Sequence, residues 1–282
     1  MSSMKAIKQR ITNVSTTKQI MKAMDMVSSS KFRKARRRLE GARPLYKALK
    51  SNLDILKTSE EAYKNVFTMQ RPLRSTAYII ITSDKGLCGS YNINICEKAL
   101  EHMNEGKNER LLVIGSKGSE YFKRRDKNIM RRITGISEAQ IYEGAGRLAD
   151  LTTSLYVSGE VDEIFIAYTY FESPLNYIPR VEKVLPITED TYEAPKYGGM
   201  GYEPDVSAFL DHIMPLYLHA YFFAAASEAV TCEHASRMVN MESASKNASD
   251  IIEDLNRMYN RKRQATITQE LNEIVSGANI LK

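Results

Sequence analysis

From Phe32 onward, apolar residues recur at Phe32, Ala35, Leu39, Ala42, Tyr46, Leu49, Leu53 and Leu56, at spacings alternating between three and four. This is a heptad stripe, the pattern of a helix that lays one seam against a partner. Extended backward, the same register passes Ser28, Asp25, Met21, Lys18, Val14, Ile11 and Ile7. Between residues 18 and 28 the seam is polar, with Ile20, Met24 and Val27 beside it. The pattern predicts one helix over residues 7–56, a rod of about 75 Å. Gly41 and Pro44 lie inside it, and a bend is expected at Pro44, which lacks an amide proton.

The other end of the chain is similar. Met241, Ala244, Ala248, Ile251, Leu255 and Met258 form one heptad set, and Ile267, Leu271, Ile274, Ala278 and Leu281 a second. A change of phase is expected between them, at Tyr259 to Gln264. No glycine or proline falls between Leu216 and Ser276, with Pro215 and Gly277 the nearest breakers, so a helix of some sixty residues or more is expected. Two such helices can pair antiparallel and bury each other's seams, with small residues such as Ser28, Ala244 and Ala248 permitting close approach. The apolar stripe that runs to Leu281, at the very end, suggests a socket elsewhere.

The middle of the chain follows another rule. Tyr78–Ile81, Leu111–Ile114 and Ile164–Tyr168 are unbroken apolar runs of strand length, as in a parallel sheet buried on both faces. Helical stretches separate them: one capped by Asn92 and running to about Met103, one from Ser116 to about Arg125, one from Ser137 to Val157. Alternation of strand and helix predicts a doubly wound α/β domain. Glu189 to Pro204, rich in glycine and proline, reads as a loop. The expected organisation is a helix over 1–58, an α/β domain over 73–200 and a second helix over 206–282.

A parallel sheet with glycine turns raises the question of nucleotide binding. A Walker-type loop needs GxxxxGK[ST], so that amides, a lysine and a hydroxyl converge on the phosphates. The only Gly-Lys pair is Gly106-Lys107, followed by Asn108 and with Glu101 in place of the first glycine. Gly144-Ala145-Gly146-Arg147-Leu148-Ala149 matches GxGxxA by letter but lies in a helical stretch. Gly115-Ser116-Lys117-Gly118 follows a strand and reads as an ordinary turn. His102, His212, His219 and His234 are scattered without completing carboxylates or thiols for a metal. No nucleophile–base pair stands out, and the residues call for no catalytic group, metal or cofactor.

Composition refines this picture. Of the 282 residues, 43% are hydrophobic, with sixteen Tyr and eight Phe, which excludes a disordered chain. The longest apolar run, Leu216 to Ala226, is interrupted by His219 and too short to span a bilayer. Cys88, Cys96 and Cys232 form no disulfide framework and suit a reducing compartment. The net charge of +6 is unevenly spread. Residues 1–50 carry fourteen Lys and Arg against Asp25 and Glu40, a local charge of +12, and the remainder carries −6. The first 24 residues have no acid and imitate a mitochondrial transit peptide in composition, yet the heptad runs straight through them. Lys31 to Arg38 holds six cations in eight residues, which suits nucleic acid, an anionic membrane surface or an acidic protein.

Three stretches resemble the gamma subunit of F-type ATP synthase, in that family's order along the chain. The first is Ile7-Lys8-Gln9-Arg10-Ile11 with Ile20-Met21-Lys22-Ala23-Met24-Asp25-Met26-Val27 and Lys31-Phe32-Arg33-Lys34-Ala35. The second is Thr82-Ser83-Asp84-Lys85-Gly86-Leu87-Cys88-Gly89-Ser90-Tyr91-Asn92. The third, and most specific, joins Glu233-His234-Ala235-Ser236-Arg237-Met238 to Tyr259–Ala278, which contains Arg263-Gln264-Ala265-Thr266-Ile267-Thr268-Gln269-Glu270-Leu271. Ser28-Ser29-Ser30 departs from the alanines usual there, and the cysteine insertion of chloroplast members is absent, so the resemblance is to the bacterial type.

The resemblance implies a fold of two long terminal helices in an antiparallel coiled coil plus a central doubly wound α/β domain. It implies a central rotor shaft, without a catalytic site, that couples ion-driven rotation to ATP synthesis or hydrolysis at beta subunits. Implied partners are three alpha and three beta subunits, the epsilon subunit and the membrane c-ring, at the cytoplasmic face of the cell membrane. Neither protons nor sodium ions are selected, because those ligands lie on another subunit. Met24, Arg33, Arg36, Arg37, Arg263 and Gln264 are the implied contacts to beta subunits, and Ile274, Ala278 and Leu281 the tip in its bearing. Asp84, Lys85, Leu87 and Tyr91 are candidates for contact at the foot, with a loop needed only for the fold as the competing reading. The alternative function is a basic coiled coil that binds nucleic acid.

Overall fold

A computed structural model describes residues 4–56, 65–69, 71–103, 108–187 and 205–280, the side chains of 54–56 and 277–280 excepted. The expected loop Glu189 to Pro204 lies outside these residues. Helix α1 spans Met4–Leu56 and α5 spans Val206–Ile280. Between them come β1 (Ser75–Ile81), α2 (Tyr91–His102), β2 (Asn108–Ile114), α3 (Ser116–Lys123), β3 (Ile129–Ile133), a 3-10 turn (Glu138–Gln140), α4 (Ile141–Val157), β4 (Glu163–Phe171) and β5 (Tyr177–Leu185). The chain divides into two compact units, residues 1–29 with 237–282 and residues 30–236, and both long helices contribute to each.

In the larger unit, one sheet has the order β3-β2-β1-β4-β5. Its first four strands are parallel, and β5 pairs antiparallel with β4. Every residue of β1 is buried, because helices cover both faces. On one face, Tyr78, Ile80, Leu111, Val113 and Ala167 pack with Ile95 and Ala99 of α2 and Phe122 of α3. On the other, Ile79, Ile81, Leu112 and Ile166 pack with Leu148 and Ala149 of α4 and with Leu218, Phe222 and Ala225 of α5. Each fully buried aliphatic side chain contributes about 1.5–3 kcal/mol. The expected doubly wound architecture is present. Two strands escaped the sequence reading, β3 and β5, because both are sheet edges. Edge strands are only partly covered, so their patterns mix Arg131, Arg132, Arg180 and Glu182 with apolar residues.

The heptad from Phe32 to Leu53 is buried, at Phe32, Ala35, Leu39, Ala42, Leu49 and Leu53. Its use differs from a simple coiled coil. Leu49 and Leu53 belong to the α/β core, and Phe32 and Leu39 meet Cys88, Tyr91, Phe171, Cys232 and Ala235. Helix continues through Pro44 and Pro215. Both prolines are exposed, so the carbonyl that each leaves without an amide partner is on the wet side of its helix.

In the smaller unit α1 leaves at Ser29 and α5 enters at Arg237, so the two segments run antiparallel. The α1 register is as expected: Ile7 and Ser28 are buried, and Ile11, Val14, Lys18, Met21 and Asp25 are half-buried. The α5 register is not. Met241, Ala248 and Leu255 are buried, but the seam continues through Ile252, Tyr259, Lys262 and Thr266, all half-buried. Ile251 and Met258 are exposed, as are Ile267, Leu271 and Ile274. No phase change therefore occurs at Tyr259 to Gln264. The covered positions keep one heptad, in which a tyrosine and a lysine stem serve as well as aliphatics. Of the exposed apolar residues, Ile251 and Met258 flank one side of this seam and Ile267, Leu271 and Ile274 the other.

Two helix starts also differ. Ser90, not Asn92, stands at the N-cap of α2, without a side-chain cap hydrogen bond, and the Asn92 carboxamide oxygen accepts the Ser83 amide at 2.9 Å. The expected helix from Ser137 begins as the 3-10 turn, where Ser137 and Gln140 form a capping box.

Candidate functional site

In a doubly wound sheet, ligands bind outside the carboxyl ends of the strands, where successive connections leave in opposite directions. Here that point lies between β1 and β4, and the chain fills it with its own groups. The turn after β2 is drawn tightly onto the end of β1. Gly115 has φ +96°, and a Cβ there would stand 2.3 Å from the Thr82 carbonyl oxygen. At Gly118 it would stand 2.7 Å from Thr82 Oγ1. The Gly115–Gly118 stretch is therefore glycine-rich for close backbone approach.

That approach also uses up the amides of α3. The Ser116 amide donates to Asp84 Oδ1 at 2.9 Å, the Lys117 amide to the Ser83 carbonyl at 3.1 Å and the Gly118 amide to Thr82 Oγ1 at 3.0 Å. Asp84 Oδ2 accepts the Gly135 amide at 2.8 Å. A carboxylate of the chain thus occupies the start of α3, the end of a helix that favours an anion. Between β1 and β4, the apolar cluster of Phe32, Leu39, Cys232 and Ala235 packs on Cys88, Tyr91 and Phe171. Gly144 and Gly146 lie inside α4, as the helical stretch around them predicted.

Polar links bind the long helices to this end of the sheet. Glu228 of α5 is 4% exposed. Its carboxylate accepts Arg43 Nε at 2.7 Å and Arg43 Nη2 at 2.9 Å, and the Phe171 amide at 2.7 Å. Glu228 raises the Arg43 guanidinium above its ordinary value by accepting its hydrogen bonds, against an opposing effect of burial. Glu138 Oε1 lies 3.0 Å from Lys31 Nζ and 3.1 Å from His234 Nε2. Burial raises the Glu138 carboxyl, but the Lys31 and His234 contacts outweigh it and hold the group below its ordinary value. Sequence reasoning missed both clusters. Arg43 and Glu228 are 185 positions apart, and no local pattern links them.

The residues singled out from the sequence are distributed as follows. Arg33, Arg36 and Arg37 are exposed on α1, and Arg36 pairs with Glu40 at 3.0 Å. Met24 is half-buried, and Arg263, Gln264 and Ile274 are exposed. The Ala278 side chain and Leu281 lie outside the described residues. At the loop after β1, Lys85 is exposed, and Leu87 is 60% exposed with φ +63°. Asp84 is engaged by the turn described above. Tyr91, expected as a foot contact, is 1% exposed and donates to the Ala229 carbonyl at 2.9 Å, so it is a core residue. Its hydroxyl gives it a polar appearance in sequence that burial with a single partner satisfies.

Among the described residues no group of three His, Cys, Asp or Glu side chains is placed to hold a metal ion. No described helix is long and apolar enough to cross a membrane. All three cysteines are buried thiols. Burial pushes the Cys96 thiol up to about 12 and the Cys232 thiol further.

Comparison with known proteins agrees with this arrangement. The family model described as ATP synthase matches residues 3–281. An ATP synthase gamma chain of Alkaliphilus metalliredigens is 40% identical over 99% of both chains. A sodium ion specific ATP synthase gamma chain of Acetobacterium woodii is 36% identical over 98% of this chain and 97% of its own. Among solved structures, a chain of the central stalk and c-ring of Tetrahymena thermophila mitochondrial ATP synthase is 26% identical, with a TM-score of 0.65 over 80% of this chain and 99% of its own. A chain of the Euglena gracilis mitochondrial enzyme, 16% identical, shares the fold with a TM-score of 0.72 over 99% of this chain and 94% of its own. These likenesses carry the ATP synthase reading and lend nothing to nucleic-acid binding. The chain belongs to the ATP synthase gamma-chain family.

Proposed function

We propose that this chain is the central rotor shaft of an F-type ATP synthase, coupling ion-driven rotation to ATP synthesis or hydrolysis on beta subunits and performing no chemistry itself. The observation that carries this reading is the likeness to gamma chains over nearly the whole length of both. The geometry supports it. A doubly wound domain whose ligand position is filled by Phe32, Leu39 and Cys232 of the long helices is built to hold helices.

In this reading the helices over 1–58 and 206–282 form the shaft and the domain over 73–200 the foot. Three alpha and three beta subunits surround the shaft. Met24, Arg33, Arg36, Arg37, Arg263 and Gln264 face the beta subunits, and the cations suit acidic surfaces that must be passed without a fixed dry interface. The exposed Ile267, Leu271 and Ile274, with Ala278 and Leu281 beyond them, enter an apolar bearing. Lys85 and Leu87 are the foot candidates that remain, with epsilon and the c-ring as partners, and the complex sits at the cytoplasmic face of the cell membrane.

Native mass measurement of complexes purified through this chain tests the proposal. Three copies each of two larger nucleotide-binding chains are expected. Recovery of the chain alone from an intact membrane preparation would refute it.

A further inference from the structure

Strand β4 is longer than its neighbour. β1 pairs with it only as far as Ala167, so the last residues of β4 have no strand on that side. At Phe171 the long helices take the place of a strand. The Phe171 amide donates to Glu228 Oε2 at 2.7 Å, and its carbonyl accepts Arg43 Nη2 at 2.6 Å. The backbone of one sheet residue is thus bracketed by a cation from α1 and an anion from α5, which are themselves joined through two further hydrogen bonds. Around this joint, the Cys232 thiol donates to the Thr169 carbonyl at 3.4 Å, and the Arg43 guanidinium stands 5.1 Å from the centre of the Tyr170 ring.

The remaining contact between these helices and the sheet is apolar packing joined by single hydrogen bonds, from Tyr221 Oη to Glu182 Oε2 at 2.6 Å and from Tyr177 Oη to Ser236 Oγ at 3.1 Å. Apolar contact holds surfaces together but is non-directional, so it resists sliding weakly. Charge-assisted bidentate bonds fix both distance and direction. A rotor needs the second property wherever turning force passes from one element to another. We propose that the Arg43–Glu228–Phe171 joint is the register pin through which torque passes between the long helices and the α/β domain, so that Arg43 and Glu228 are positioning residues for energy coupling.

This inference rests on the shaft reading above, and the test separates the two. Arg43→Met, Arg43→Lys and Glu228→Gln are introduced into the complete ATP synthase in inverted membrane vesicles. ATP hydrolysis by detergent-released complex and ATP-driven ion uptake by vesicles are measured per assembled complex. Hydrolysis is expected to persist, while uptake per ATP falls between about 2- and 30-fold in Arg43→Met, the range of losses along a coupled network. Arg43→Lys, which keeps the charge and loses the fork, is expected to lie between Met and wild type. A merely structural role would lower the amount of complex and leave the ratio of uptake to hydrolysis unchanged. An unchanged ratio in assembled Arg43→Met overturns the proposal, as does failure of all three variants to assemble. Absence of the wild-type chain from the complex would instead overturn the shaft reading.

Discussion

Asp84 Oδ1 accepts the backbone amide of Ser116 at 2.9 Å, which places a carboxylate of the chain at the start of α3. The other oxygen holds the Gly135 amide, so one side chain ties together the turns after β1, β2 and β3. Replacing Asp84 with Ala leaves both amides without this acceptor and is expected to cost about 1–2 kcal/mol. Urea denaturation of the full chain reads the loss. Asp84→Asn, which retains an acceptor for Ser116, is expected to lose less, and an unshifted midpoint in Asp84→Ala would show that water replaces the carboxylate fully.

Two glycines should respond with opposite signs. Gly115→Ala places a Cβ 2.3 Å from a backbone oxygen at a positive φ, and a loss of more than about 2 kcal/mol is expected. Gly41 lies in α1 with nothing within 4 Å of a new Cβ. Gly41→Ala is expected to gain about 0.5–1 kcal/mol from helix propensity. Melting temperatures of the two variants should fall on either side of the wild type.

The thiols are expected to be silent in the native chain. All three are buried, and with Cys96 at about 12 almost no thiolate is present at pH 8. A disulfide reagent should label none of Cys88, Cys96 and Cys232 before denaturation and all three after it. Rapid labelling of Cys232 in native protein would contradict the packing against Phe32 and Phe171.

Glu138 gives the stability a pH dependence of defined sign. Its folded-state carboxyl lies below its ordinary value, despite burial, because Lys31 and His234 stabilise the charged form. The contribution is therefore fully present above the ordinary carboxylate pKa of about 4.3 and is lost as pH falls through the folded value. The stability gap between wild type and Glu138→Gln should close as pH falls below about 4. A gap that widens as pH falls below about 4 would reverse the assignment.

Neutralising Arg33, Arg36 and Arg37 together should separate folding from coupling. All three are exposed, and the Arg36–Glu40 pair is of the kind worth about 0–1 kcal/mol. A triple glutamine variant is expected to fold and assemble normally while ATP-driven ion pumping declines. Pumping at the wild-type rate would remove these residues from the proposed contact with the beta subunits.

Much of the architecture is legible in one dimension because it rests on periodicity. The three apolar runs became β1, β2 and β4, since strands covered on both faces need no polar positions. The register from Ile7 to Leu53 held even where Lys18, Asp25 and Ser28 fill it, because helix geometry fixes which face they share. The C-terminal register did not hold. Ile251, Met258, Ile267 and Leu271 look like a seam, but an apolar residue does not announce whether its own chain or another covers it.

The sequence by itself determined the two long helices, the parallel core and, through three motifs, the family. Tertiary structure alone decided how the helices are held. Asp84 against Ser116, Tyr91 against Ala229 and Arg43 against Glu228 are contacts between segments 32 to 185 residues apart. Hydrophobic burial follows patterns that repeat along a chain, whereas a directed hydrogen bond depends on where two distant backbones meet. Only the folded chain brings the ends of β1 and β4, α1 and α5 to one place.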